Sequence, residues 1–135
     1  RHVQYDEEVN QALKGLGNEK LESLYYSICS MELEHHTPLV SIGAWAFFET
    51  LTSCAGRSEN TAFDAFLSNH RLAQFGITGN EVKAVRAAIG RTLAYGNLTK
   101  HHRISAAFNG DQLNNDMIAL KALINKLIEH AGKQA

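Results

Sequence analysis

The stretch Leu39-Val40-Ser41-Ile42-Gly43-Ala44-Trp45-Ala46-Phe47-Phe48-Glu49-Thr50-Leu51 decides the fold class. Nine of these thirteen residues are apolar, so a helix built from them is apolar on nearly every side. Such a helix belongs in the centre of a helical bundle. Gly43, Ala44 and Ala46 let neighbouring helices come close. Glu49 is the only charged residue in the stretch, and if buried it needs a partner; Arg86 is the candidate. The run is too short to cross a bilayer, which takes about 20 apolar residues.

Toward the N-terminus, Thr37-Pro38 reads as a capping residue followed by proline at the first helical position. His35 and His36 then fall in the last turn of a preceding helix. Asn18 caps that helix, whose Leu21, Leu24, Tyr25 and Ile28 recur at three- and four-residue spacing. Asp6, Glu7 and Glu8 start a first helix, because carboxylates complement the free N–H groups of a first turn. Val9, Ala12 and Leu13 are its apolar face, and Gly15 and Gly17 end it.

Toward the C-terminus, Gly56 closes the apolar helix, and Thr61 to His70 forms a short one carrying Phe63, Phe66 and Leu67. Phe75-Gly76-Ile77-Thr78-Gly79 is a turn. Asn80 caps a helix striped by Val82, Val85, Ile89 and Leu93. Tyr95-Gly96-Asn97 breaks that pattern, and Leu98 to Ala107 continues as a new helix. Asp111 caps the last helix, where Leu113, Met117, Leu120, Ile124 and Leu127 alternate by four and three before Gly132. No hairpin signal or internal repeat is present. The expected fold is all-α: a single-domain bundle of five or six helices over residues 1–135, with Leu39–Leu51 central.

The 135 residues suit one domain and suffice for a core without metals or disulfides. Cys29 and Cys54 lie far apart in apolar surroundings, which predicts free buried thiols, a reducing cytoplasmic setting and no metal site. No cofactor-binding motif is present: there is no Gly-rich phosphate loop, nucleophile elbow or paired-histidine zinc helix. No signal peptide or membrane span is expected. The chain begins at Arg1, which is expected of a unit cut from a longer protein and equally of N-terminal processing.

The formal net charge of −1 hides an asymmetry. Residues 1–67 hold four Lys/Arg against ten Asp/Glu, a balance of −6; residues 68–135 hold nine against four, a balance of +5. Between His70 and Arg103, the cations Arg71, Lys83, Arg86, Arg91, Lys100 and Arg103 face only Glu81. Basic density of this kind can attract phosphate even on a neutral molecule.

Within it, Gly96-Asn97-Leu98-Thr99-Lys100-His101-His102-Arg103 supplies an amide, an ammonium, two imidazoles and a guanidinium. If a helix begins after Gly96, its free N–H groups also favour an anion. Asn97 and His101, four apart, share one helical face. His101 and His102 point about 100° apart, which argues against a joint metal site.

This segment resembles the motif of HEPN domains, small and often dimeric helical bundles, many of them metal-independent ribonucleases. Asn97 and His101 match the motif's asparagine and histidine spacing, and Gly96 stands in the place of its arginine. The resemblance implies that His101 is an acid or base toward a ribose 2′-hydroxyl and that Asn97 orients the phosphate or the histidine. The missing guanidinium favours binding over catalysis, because that group would stabilise charge on the phosphate. Lys100, His102, Arg103 and Arg91 are then the residues expected to bind RNA or single-stranded nucleic acid, in a homodimer.

Gly17-Asn18-Glu19-Lys20-Leu21, Leu24-Tyr25-Tyr26-Ser27 and Gly43-Ala44-Trp45-Ala46-Phe47-Phe48-Glu49 also resemble helical C-terminal segments accompanying ParB-like domains. That likeness implies a second reading: a non-catalytic protein-interaction or dimerisation module of a larger regulatory or DNA-partition-type protein. The two readings separate on whether the basic residues from Arg71 to Arg103 gather on one exposed face.

Overall fold

The computed structural model describes residues 1–101 and 108–134, with only the backbone of His101. Among the described residues there are eight α-helices and no strand: α1 Glu7–Leu16, α2 Glu19–Ser30, α3 Leu33–Cys54, α4 Phe63–Phe66, α5 Asn69–Gln74, α6 Asn80–His101, α7 Gly110–Ala119 and α8 Lys121–Gln134. The fold is all-α as expected, but with more helices than five or six. Two segments divide. Ser68 accepts from the Arg71 amide at 3.2 Å and caps α5, which splits the helix expected over Thr61 to His70. Leu120, a fully buried residue with ψ near zero (φ −89°, ψ −3°), separates α7 from α8 without any glycine or proline to mark the place.

The first two helices follow the sequence closely. The Asp6 carboxylate accepts from the Val9 amide, and the Asn18 side chain accepts from the Leu21 amide, each at 3.0 Å. Gly17, at φ 74°, makes the left-handed turn that ends α1.

α3 departs from expectation. It starts at Leu33, so Thr37 and Pro38 lie inside it, and His35 and His36 sit near its beginning rather than at the end of α2. The Thr37 hydroxyl donates to the Leu33 carbonyl within the helix and does not cap. Leu33 itself is fully buried, and its amide donates to the Arg1 carbonyl at 2.9 Å. Burial and that bond extend the helix past the proline, which removes one donor from a stretch where His35, His36, Pro38 and Leu39 are exposed.

Packing around α3 builds the core. It contacts α2, α4, α6, α7 and α8. Phe47 and Phe48 are essentially inaccessible and meet edge-on with centroids 5.8 Å apart; Tyr25 and Phe63 extend the aromatic chain on either side. Each such pair adds about 0.5–1.5 kcal/mol beyond the apolar area it buries. One stripe stays uncovered, running from Leu39 (55% exposed) through the half-buried Ile42 and Ala46.

The C-terminal end of α3 is closed by a residue whose role the sequence did not signal. Arg57 is buried, and its guanidinium donates to the Thr52 hydroxyl (2.8 Å) and to the carbonyls of Glu49 (2.7 Å), Thr61 (2.8 Å) and Ser58 (3.2 Å). The Glu49 carboxylate lies 3.1 Å from the same guanidinium. Glu49 therefore has Arg57, not Arg86, as its partner. This engages carbonyls at a helix end and in the loop beyond it that would otherwise lack donors away from water.

The α3–α6 crossing rests on one glycine. At Gly96 a Cβ atom would fall 2.3 Å from Trp45 Cβ and 2.5 Å from Trp45 Cγ, closer than atoms can approach. Gly90, on the same helix, has open space where its Cβ would stand. The two positions should therefore respond oppositely to alanine. Gly90→Ala is expected to raise stability by up to about 1 kcal/mol through helix propensity alone. Gly96→Ala is expected to lower it by about 1–3 kcal/mol through overpacking. Denaturant midpoints of the two variants check this, and equal shifts would contradict the close approach.

Candidate functional site

The segment singled out by its chemistry is the last part of α6. No new helix begins at Gly96: α6 runs unbroken from Asn80 to His101. Its interior amides are engaged in the helix, so the anion-binding helix start expected there is absent. Gly96 is in the helix because Trp45 needs the space, and the cost of glycine's backbone freedom is offset by that contact.

Asn97 is exposed on α6, one turn before His101. The side chain of His101, and His102 and Arg103 entirely, lie outside the described residues. The Thr99 hydroxyl donates back to the Tyr95 carbonyl at 2.8 Å. Lys100 carries its ammonium 3.5 Å from the centre of the Trp45 ring, a cation–π contact. The same indole thus abuts the Gly96 backbone and the Lys100 cation.

Arg91 is placed differently. Its Nε donates to one oxygen of Asp116 at 2.9 Å and its Nη2 to the other at 2.8 Å. Asp116 is buried and also accepts from Gln112 at 3.1 Å. The hydrogen bond to Asp116 holds the Arg91 guanidinium above its ordinary pKa. This forked pair joins α6 to α7, so Arg91 serves a helix–helix junction.

The other arginines of the basic stretch are likewise turned inward. Arg71 donates to the Phe66 carbonyl at 2.9 Å, with its guanidinium 3.9 Å above the Phe66 ring. Arg86 donates to the carbonyls of Leu67 and, at 3.3 Å, Asp64. Both satisfy acceptors in and just after the short helix α4. Among the described cations of that stretch, Lys83 and Lys100 are exposed. The described basic residues do not gather on one exposed face.

Cys29 is buried, and burial pushes its thiol up to about 11, while Cys54 is half-buried; both are free thiols. A thiol so raised is protonated at neutral pH and a poor nucleophile. Among the described residues no group of three or more His, Cys, Asp or Glu could hold a metal ion. No described helix is long and apolar enough to cross a membrane.

A feature the sequence reading passed over lies on the opposite side of α3. The faces of α2 and α3 leave an open groove of about 320 Å³ lined by Leu24, Ser27, Met31, Leu39, Ile42 and Ala46, with Ile28, Val40 and Gly43 behind them. Its apolar character is legible in the sequence, where Leu39, Ile42 and Ala46 read as part of a helix buried on nearly every side. Only the placement of neighbouring helices shows that nothing in the described chain covers them.

The residues thus define an all-α domain with internally paired arginines, an exposed amide and ammonium at the end of α6, and an uncovered apolar groove. Comparisons with protein-family models, curated proteins and solved structures find no match to this chain.

The contact at α6 can be read directly, since Trp45 is the only tryptophan. Lys100→Ala is expected to change Trp45 emission and to cost about 0.5–1 kcal/mol of stability. Unchanged emission would show that the ammonium does not rest on the indole.

Proposed function

We propose that this domain is a non-catalytic protein-interaction module, with self-association as its simplest form. The observation that carries the reading is the open α2–α3 groove, with Leu39 standing 55% exposed at its rim. An uncovered apolar face on an otherwise well-packed domain costs free energy in water, and covering it is a source of affinity. The paired arginines are consistent with the same reading, because Arg71, Arg86 and Arg91 are engaged with acceptors of the chain itself. Sedimentation velocity of the domain over a range of concentrations tests it. A mass rising toward that of a dimer is the expected result. A monomer at every concentration that binds no other protein would remove the reading.

A second reading keeps a HEPN-like nucleic-acid function at the end of α6. It is favoured by one observation: Asn97 and Lys100 are exposed within the last turns of α6, beside His101. In this reading Asn97 orients the phosphate and Lys100 supplies charge, with His101, His102 and Arg103 as the further residues expected to act on it. Titration with single-stranded RNA at low salt, followed by Trp45 emission, checks it. Binding should weaken as salt rises and fall several-fold in Lys100→Ala. A folded protein that binds no RNA at low salt would rule it out.

A further inference from the structure

We infer that the α2–α3 groove is closed by a second copy of this chain, packed antiparallel across it to form a four-helix interface; the inference rests on the protein-interaction reading above.

The argument begins with the layout of the groove. α2 and α3 are joined by only two residues, Met31 and Glu32, and the pairings Asn18 with Cys54, Tyr25 with Phe47 and Ile28 with Gly43 show that they run antiparallel. A Cβ at Gly43 would stand 3.2 Å from Ile28, which sets these two residues at the same level midway along the groove. Toward the connection the walls are Met31 and Leu39; toward the other end they are Leu24 and Ala46. The protruding side chain, Leu39, therefore lies at one end, and the smaller Ala46 lies at the other. Bulge and hollow occur on one face, as a twofold interface requires. Rotation about the level of Gly43 carries Leu39 of each copy onto the Ala46 end of the other.

Charge selects this partner and this direction. Lys20 shares a helical face with Leu24, Ser27 and Met31 by its spacing, and it is exposed. It sits about 12 Å from the Ile28 level, at about 1.5 Å per residue, on the side away from the connection. His35 is displaced by a similar distance, about 12 Å along α3, in the opposite direction. Its Nδ1 lies 3.2 Å from the Glu32 carboxylate. A cation and a carboxylate–imidazole pair thus stand at matching distances from the centre. Antiparallel pairing brings Lys20 of one copy to Glu32 and His35 of the other, twice. Parallel pairing sets like groups together. An unrelated apolar helix would fill the groove but would gain nothing from this spacing.

Sedimentation equilibrium on the wild-type domain and three variants tests the inference, with circular dichroism as the control for folding. Leu39→Glu is expected to raise the dimer dissociation constant at least about tenfold, since it replaces the apolar side chain that enters the other copy with a charge. Its helicity should not change, because the side chain is already exposed in the monomer. Lys20→Glu is expected to weaken the dimer several-fold, and Lys20→Glu with Glu32→Lys to recover most of that loss. A dimer indifferent to Leu39→Glu would place the interface elsewhere, overturning this inference while the interaction reading stands. Sensitivity at Leu39 without recovery in the charge exchange would overturn the antiparallel pairing. A wild-type monomer that binds an amphipathic helix through Leu39 would give the groove to a different protein and overturn the second copy. A monomer that binds neither would overturn both inference and reading.

Discussion

The tightest approach at any described glycine is the meeting of Trp45 with Gly96. An indole pressed against a helix backbone fixes how near α3 and α6 lie, and a single added carbon would hold them apart. The two are the longest of the described helices, at 22 residues each, so their spacing sets where everything attached to them falls. α4 and α7 both contact α3 and α6, and α2 and α8 pack on α3. The outward face of α3 then becomes the groove floor because none of the described helices covers it. Protein interiors are close-packed, and one short contact of this kind is transmitted to its neighbours without slack.

Arginine performs the second task, which is to satisfy backbone carbonyls where helices end. Arg57 closes α3, Arg71 and Arg86 reach the carbonyls of α4 and the residue after it, and Arg91 ties α6 to the buried Asp116. A short helix such as α4, four residues long, leaves most of its carbonyls without an internal donor. The planar guanidinium can reach several acceptors at once, which lysine cannot. In the cation-rich segment the three described arginines act as internal clasps, and Lys83 and Lys100 are left to the surface.

The sequence was read well where the determinant is local. Asp6 and Asn18 cap their helices because a side chain three residues from an amide can reach it whatever the rest of the chain does. Helical class follows from the spacing of Leu21, Tyr25 and Ile28, which are all buried. The misreadings have a shared physical origin. Thr37-Pro38 has the form of a helix start, and Gly96-Asn97 the form of a helix break, yet both lie inside helices. In each case a contact distant in sequence outweighed the local preference: the Arg1 carbonyl with the buried Leu33 in one, Trp45 in the other.

The candidate site divides along the same line. Asn97 and His101 share a helix one turn apart, as their spacing required, and Lys100 is exposed beside them. Whether Arg91 faces solvent could not be read locally, since Asp116 lies 25 residues away and arrives only by packing. The sequence by itself determined that the chain is helical, where α1 and α2 begin, and which side chains are apolar, because these depend on neighbours within about one turn. Tertiary structure alone decided which of those apolar side chains are covered and which cations remain free. Coverage and pairing are properties of surfaces brought together from distant parts of the chain.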